Sequence, residues 1–526
     1  MDAATSGSLA QSTTSFPDLR TTQAMAVPNA PPPITPIRAI WLASYLLSMS
    51  LALAIDQGTH ASRVLVVDMT GRIVASGAVE IGLAHPQPDW AEQDGEEIVA
   101  SIFGAVARAL AQLGERKAEI RCAGLASQRA NCVCWDRESG RALSPIFSWQ
   151  DRRAHDWISS LEAAHGDAVH RKTGLYLSPH YGASKLRWAL DHLPAVRAAR
   201  DAGTLAWGPM ASFLVHRLVK ERTLAAEPQC AARTQLWNLR TRDWDPELLA
   251  LFGLPAGFLP GSVPTCHAWG TLETAGIAVP LTAVNGDQSA AVFAFGWPEE
   301  DCAYVNIGTS AFVQRALTRY PGHVPRQLTG IILADRDVTV YMVEGNVNGA
   351  GTALAWVEEE LAIADVTVQL PGWLERAGTP PLFLNGIAGL GGPFWKADFA
   401  SRFEGEGEPW QKAVAVVESI AFLLQANIDH MAAHVPAARR IRVSGGVSRL
   451  DGLCRRLAAV SGLPVHRRED PEASARGIAY LAAGRPARWN TAPQEQVFAP
   501  QPDETLRQRY RRWLALMQAA SGVRIL

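Results

Sequence analysis

A short apolar strand that runs straight into a Gly-Thr turn and folds back as a hairpin occurs twice in this chain, at residues 51–68 and again at residues 301–316. Residues 51–55 carry no polar side chain and lead into Asp56-Gln57-Gly58-Thr59; residues 62–68 return, and residues 73–81 follow the Thr70-Gly71 turn as a third strand. The theme restarts at residues 301–307, which end in Gly308-Thr309-Ser310, with a return strand at 311–316 and a third resembling it at 338–343. Residues 95–113 have helical spacing, with Ile98, Ile102, Val106 and Leu110 on one face. Residues 121–126 and 131–136 read as strands, 344–361 and 410–433 as helices, 440–443 as a strand ending in Gly445-Gly446, and 450–461 as a helix. Strands followed by helices, repeated, imply an α/β layered architecture. The repetition implies two similarly built domains meeting at a cleft, with a boundary near residues 284–300.

At 526 residues the chain exceeds what one core ordinarily holds, which agrees with two domains. The formal net charge of -2 gives no basic surplus for nucleic acid. Seven cysteines form no CxxC pair, so free thiols in a reducing cytoplasm are expected; Cys132 and Cys134, at strand spacing, would share a face. Residues 1–38 are rich in Ala, Ser, Thr and Pro and read as disordered. The apolar run at 39–55 is broken by Ser44, Ser48 and Ser50 and falls short of the roughly 20 apolar residues of a membrane span. The folded protein is expected to begin near Met49, with residues 1–48 a disordered extension and no membrane partner.

Phosphoryl transfer needs a cradle for phosphate oxygens, a carboxylate near a metal and a group that takes the acceptor's proton. No GxxxxGK[ST] run is present, and Gly182-Ala-Ser-Lys185 fails on spacing. Phosphate would have to be held by turn amides and small hydroxyls. Asp56-Gln-Gly-Thr59 offers these: Gly58 admits close backbone approach, Thr59 adds a hydroxyl and an amide, and Asp56 a carboxylate suited to Mg²⁺. An ordinary Asp-Gly hairpin turn explains the same four residues. Asp287 in Gly-Asp-Gln could likewise be a turn residue, Arg129 a surface ion-pair residue, Trp149 a packing residue, Gly445-Gly446 an α/β turn, and Asp151-Arg-Arg153 a solvated charge cluster.

Taken in order along the chain, Ala54-Ile-Asp-Gln-Gly-Thr59 with Ser62-Arg63, Ser127-Gln-Arg129, Ser148-Trp-Gln-Asp-Arg-Arg153, Ser184-Lys-Leu-Arg-Trp188, Asn285-Gly-Asp-Gln288, Ile307-Gly-Thr309, Glu344-Gly345 with Ala350-Gly351, Ser444-Gly-Gly446 and Tyr510-Arg-Arg-Trp513 resemble the FGGY carbohydrate kinases, glycerol kinases above all. The resemblance covers nearly everything after residue 50, while the family signature around residues 402–418 is only partly kept. It implies two actin-like ATPase (ribonuclease H-like) domains flanking a catalytic cleft, residues 49–286 on the substrate side and 287–526 on the nucleotide side. It implies ATP and Mg²⁺, a small polyol or sugar as partner, and leaves a homo-oligomer open. Position by position, Asp287 is similar to the catalytic base. Arg129, Trp149, His180, Tyr181, Gln288 and Phe312 are similar to acceptor-binding residues. Gly58, Thr59, Arg63, Gly308, Thr309, Gly351, Gly445 and Gly446 match the nucleotide side, and Asp56 the metal position.

The departures bear on the acceptor. Ala130 stands where glycerol kinases have Glu, and His180 where they have the substrate-binding Tyr, with Tyr181 one position later. His60 replaces a Thr or Ser, Leu450 an Asn near the adenine, and the Gly-Arg regulatory loop is absent. ATP use survives these changes, whereas glycerol is put in question, with a C4–C5 polyol or a ketopentose as the alternative. A nucleotide-gated binding protein would need a client-binding region after residue 480, where only a linker and one helix are expected. A catalytically dead regulator is disfavoured because Asp56 and Asp287 are both kept.

Overall fold

Residues 51–55 bury every side chain, and a strand apolar on both faces needs neighbours on both edges and cover on both sides. In the computed structural model, which describes residues 50–376, 378–468, 472–489 and 495–525, this run lies in β1 (Leu51–Gln57). The expected disordered extension, 1–48, lies outside the described residues. β2 (Ala61–Asp68) and β3 (Ile73–Glu80) continue as an antiparallel meander. β4 (Ile120–Ser127) runs parallel to β1 on its other edge; β5 (Cys266–Thr274) and β6 (Ile277–Gly286) form a hairpin whose β6 is parallel to β4. The order is β3-β2-β1-β4-β6-β5.

Helix α1 (Gly95–Leu113) makes the crossover from β3 to β4. The Asp94 carboxylate accepts the backbone N–H of Glu96 and Glu97 and caps its start, and Ile98, Ile102, Val106 and Leu110 are buried against the sheet. A smaller four-stranded sheet containing Cys132–Asp136 is covered by α2 (Gly182–His192) through Ala183, Leu186, Ala189 and Leu190. Cys132 and Cys134 do share that face. All seven cysteines are free.

The second half repeats the plan. β7 (Cys302–Ile307), β8 (Ala311–Leu317), β9 (Leu328–Ala334), β10 (Thr339–Val347), β11 (Arg440–Ser444), β12 (Val465–Arg467) and β13 (Gln496–Phe498) stand in the order β9-β10-β8-β7-β11-β12-β13. Without the edge strand β9 this is the first sheet again: three antiparallel strands, two parallel neighbours, one antiparallel edge. Helices α3 (Gly351–Glu360) and α4 (Pro409–Ala432) cover it. The helix expected over 344–361 is corrected: residues 344–347 complete β10, and Asn348, Gly349 and Ala350 separate strand from helix. β9 and β13 were not expected. A third apolar cluster joins the two sheets, packing Ala52 and Ala54 of β1 against Ile332 of β9 and Ile478 and Leu481 of the helix Ala473–Ala482.

One turn depends on backbone shape alone. Gly445 follows β11 with φ +89°, and a Cβ there would stand 2.5 Å from the Ile307 carbonyl oxygen. Gly445→Ala is expected to destabilise the fold by about 1–2 kcal/mol from the left-handed backbone and about 1–3 kcal/mol more from the clash. Gly446→Ala, where a Cβ meets nothing within 4 Å, is the control. Equal urea midpoints for the two variants would refute this account of the turn.

Candidate active site

Ala126 of β4 pairs with Asp56 of β1 on one side and Asn285 of β6 on the other. The three parallel strands therefore end together, and Asp56, Arg129 and Asp287 leave the sheet at one carboxyl-terminal edge, where open α/β sheets bind ligands. Asp56 is 8% exposed. Burial, and then the charge of Asp287, push its carboxyl up to about 7; Arg63, directly opposite in the β1–β2 register, pulls the other way. Asp287, half-buried at the start of the helix Asp287–Ala291, is also raised by burial, against the pull of Arg129, the Gln288 N–H and Arg233. The charge of Asp287 thus disfavours the ionisation of Asp56 at the same edge.

Arg129 donates through Nη2 to Gln288 Oε1 and lies 3.6 Å from Glu344 Oε2, while its Nη1 is buried without a partner. Glu344, from β10, also accepts from Arg233 Nη2 at 3.2 Å and Gln314 Nε2 at 2.6 Å. Burial pushes the Glu344 carboxyl up, yet Arg233, Arg129 and the Gln314 amide together hold it below its usual range. Tyr181 joins this group: burial raises its phenol and Arg233 opposes.

A closed ring of hydrogen bonds connects the first hairpin tip to Trp149. Trp149 N–H donates to Asn131 Oδ1 (2.8 Å), Asn131 Nδ2 to Gln93 Oε1 (3.4 Å), Gln128 Nε2 to the same Gln93 oxygen (3.1 Å), Thr59 Oγ1 to Gln128 Oε1 (3.0 Å), and the Trp149 indole N–H to Thr59 Oγ1 (3.4 Å). The indole itself is 44% exposed. Gly58 N–H closes the tip on the Ala61 carbonyl at 3.0 Å. His180 turns its Nδ1 to the Trp149 carbonyl at 2.9 Å. It stands behind Trp149, and Tyr181 occupies the Arg129–Glu344 group.

On the other side, Gly351 N–H donates to the Gly308 carbonyl (3.0 Å) and Thr352 N–H to the Thr309 carbonyl (3.1 Å), seating the second hairpin tip on the start of α3. A Cβ on Gly351 would lie 2.6 Å from the Gly308 oxygen. Beside this tip is a cavity of about 370 Å³ lined by Gly445, Gly446, Gln288, Phe312, Asn306 and Arg468, among others. Phe312, expected with the acceptor residues, lines this cavity with Gly445 and Gly446.

Arg233, Glu344, Gln314, Gln93 and Gln128 have no role assigned from sequence alone. Gln128 and Glu344 stood inside quoted motifs; Arg233 and Gln93 had no local signal. The Asp151-Arg-Arg153 run, for which a solvated cluster is one of the two readings, is buried at its ends: Arg153 pairs with Asp151 (2.7 Å) and Glu92 (2.6 Å) and stacks between Trp90, Phe147 and Trp188. Among the described residues no group of three or more His, Cys, Asp or Glu could hold a metal ion. Asp56 nonetheless fits a hard divalent cation that keeps waters and phosphate oxygens as its other ligands, because such a charge offsets the burial and repulsion that raise its carboxyl.

Residues 51–294 match the N-terminal domain, and residues 303–484 the C-terminal domain, of the FGGY family of carbohydrate kinases. A glycerol kinase of Alkalilimnicola ehrlichii is 32% identical over 489 residues, covering 90% of this chain and 99% of that one. A glycerol kinase of Delftia acidovorans is 33% identical over 451 residues, covering 82% and 90%. Among solved structures, Plasmodium falciparum glycerol kinase with ADP aligns with a TM-score of 0.82 at 22% identity, covering 90% and 99%. Xylulose kinase from Rhodospirillum rubrum aligns at 0.79 and 21%, covering 89% and 98%. These likenesses give the chain the actin-like ATPase fold. Matched in both domains along most of its length, the chain belongs to the FGGY family of carbohydrate kinases.

Proposed function

We propose that this enzyme, an alcohol-group phosphotransferase using ATP on a small polyol or sugar, takes the acceptor's proton on Asp287, and that residues 49–286 carry the acceptor side and 287–526 the nucleotide side. The observation that carries the reading is the junction of Asp287, Gln288 and Arg129 at one strand edge, with an unpartnered guanidinium N–H. A carboxylate with a raised pKa accepts a proton readily, and the acceptor hydroxyl becomes acidic only as the new bond forms. Arg129 and Gln288 supply donors and acceptors for substrate hydroxyls, Trp149 an apolar wall, and Tyr181 a phenol. His180 supports Trp149 from behind. Gly308, Thr309, Gly351, Gly445 and Gly446 present backbone to the nucleotide, with Phe312 beside them. Gly58, Thr59 and Arg63 face the phosphates. Mg²⁺, which Asp56 would hold, supplies charge neutralisation of the phosphates. Seven free cysteines support a reducing, cytoplasmic setting.

Asp287→Asn is expected to lower kcat by roughly 10²–10⁴ while nucleotide affinity, read by calorimetry, stays unchanged. Retention of more than about half the activity, far outside that range, would remove Asp287 from the role.

The metal position carries a stability cost. Raising Asp56 from 3.8 to about 7 corresponds, at about 1.4 kcal/mol per pKa unit, to a penalty on the order of 4 kcal/mol. Below the unfolded value the acid is neutral in both states and the penalty vanishes; it grows as pH rises and is complete above the folded value. Asp56→Asn is therefore expected to raise the melting temperature of the ligand-free protein at pH 8 but not at pH 4, and to abolish turnover. A lower melting temperature at pH 8 would contradict this.

Ala130 removes one carboxylate acceptor, and the neighbouring side chains are committed: Asn131 Oδ1 to Trp149 N–H, His180 Nδ1 to the Trp149 carbonyl. A hydrogen bond to a charged group contributes roughly 1.5–3 kcal/mol, or about one to two decades of affinity. Glycerol is expected to be a poorer acceptor than a longer polyol or ketose that fills the vacated volume. The check is kcat/KM for glycerol, erythritol, ribitol, xylitol, D-xylulose and D-ribulose on one preparation. Glycerol ahead by about a decade would make this a plain glycerol kinase.

A further inference from the structure

Lys185, on α2, has no solvent-exposed surface. Its Nζ donates to the Ser148 carbonyl at 2.6 Å and the His180 carbonyl at 2.7 Å. Ser148 immediately precedes Trp149, His180 Nδ1 meets the Trp149 carbonyl, and Tyr181 follows His180. One ammonium therefore fastens the two separate segments that carry the acceptor wall. The charged and titratable groups facing it are Cys132, His180 and, on the Trp149 segment, Asp151 and Arg153. Asp151 is already engaged by Arg153 at 2.7 Å and by the Ala91 N–H at 2.9 Å.

Burying a cation without a carboxylate of its own is costly, and apolar residues of similar volume ordinarily pack such a place at least as well. What an apolar side chain cannot do is donate to two carbonyls from different segments at once. We propose that Lys185 is a positioning residue, whose ammonium sets Trp149, His180 and Tyr181 in the arrangement that binds the acceptor. This rests on the acceptor reading of Trp149 given above. Burial pushes the Lys185 amine down to about 8, which brings loss of its proton, and with it the weakening of both charge-assisted bonds, into the range of an ordinary pH profile.

The test uses the full-length enzyme with glycerol and ribitol as acceptors, comparing wild type, Lys185→Met and Trp149→Ala. Lys185→Met is expected to raise acceptor KM by about tenfold or more, two charge-assisted bonds being lost, with KM for ATP within about twofold, a factor too small for a lost bond of that kind. In the wild type, acceptor KM should rise by roughly threefold or more between about pH 7 and pH 9 as the bonds become neutral, with KM for ATP flat. A purely structural brace would lower the melting temperature and the active fraction and leave both KM values where they are, which overturns the proposal. If Trp149→Ala raises acceptor KM and Lys185→Met does not, the Lys185 role falls and the acceptor reading stands. If neither variant moves it, both fall. If Lys185→Met does not fold, the wild-type profile decides: a flat acceptor KM across that pH range overturns the proposal.

Discussion

Glu344 is the group on which the arrangement of the site depends. It comes from β10 in the second half of the chain and is gripped by Arg129 and Arg233 from the first half, with Gln314 filling its remaining acceptor position. All four side chains are buried or nearly so, and charges held out of water are tolerable only when paired and hydrogen-bonded. Breaking such a group from one side costs about 3–5 kcal/mol, because a charge is left uncompensated. Here two guanidinium groups would be left facing each other; burial and then Arg233 already push the Arg129 pKa down. The hold of Arg129 on Gln288, beside Asp287, therefore rests on a carboxylate contributed from the other sheet.

The same region gathers several features that a fold selected for stability alone would shed. Asp287 raises the proton affinity of Asp56, Lys185 is a buried cation with no carboxylate bonded to it, and Ala130 holds a left-handed backbone at φ +63°. A non-glycine residue in that region costs roughly 1–2 kcal/mol. Strain of this kind persists where surrounding structure over-determines it, and it clusters at functional sites. The surrounding structure here is the amide ring of Gln93, Gln128, Asn131 and Thr59, which fixes the backbone on either side of Ala130.

Much of the frame was legible in the sequence because it is written in local pattern. The apolar run before Asp56, the repeat before Gly308, and the helix at Gly95–Leu113 each follow one period without interruption. The failures fall where tertiary contact overrides pattern. Glu344 and Gly345 interrupt an apolar strand, so the segment read as the start of a helix; the two arginines that make a charged strand residue acceptable lie more than a hundred positions away. Arg153 looked like a surface charge because nothing local reveals that Trp90, Phe147 and Trp188 close over its guanidinium. For the candidate site, motif register pointed to Asp287, Arg129 and Trp149, whereas Arg233 and Gln93 meet partners that only the fold brings near.

The two sides of the cleft are specified in different currencies of structure, and this bears on how the family's acceptor range can vary. On the proposed nucleotide side, close approach is set by backbone: Gly351 against Gly308, and Gly445 against Ile307, leave no room for any Cβ. Substitution there disturbs the fold itself. On the proposed acceptor side the determinants are side chains carried on loops and held by Lys185, Asn131 and Gln93. On the proposed assignment, a change at Ala130, His180 or Tyr181 would alter which hydroxyls are recognised without moving a strand. In that reading, a donor side built from backbone and an acceptor wall built from side chains would let the acceptor change while the frame is kept.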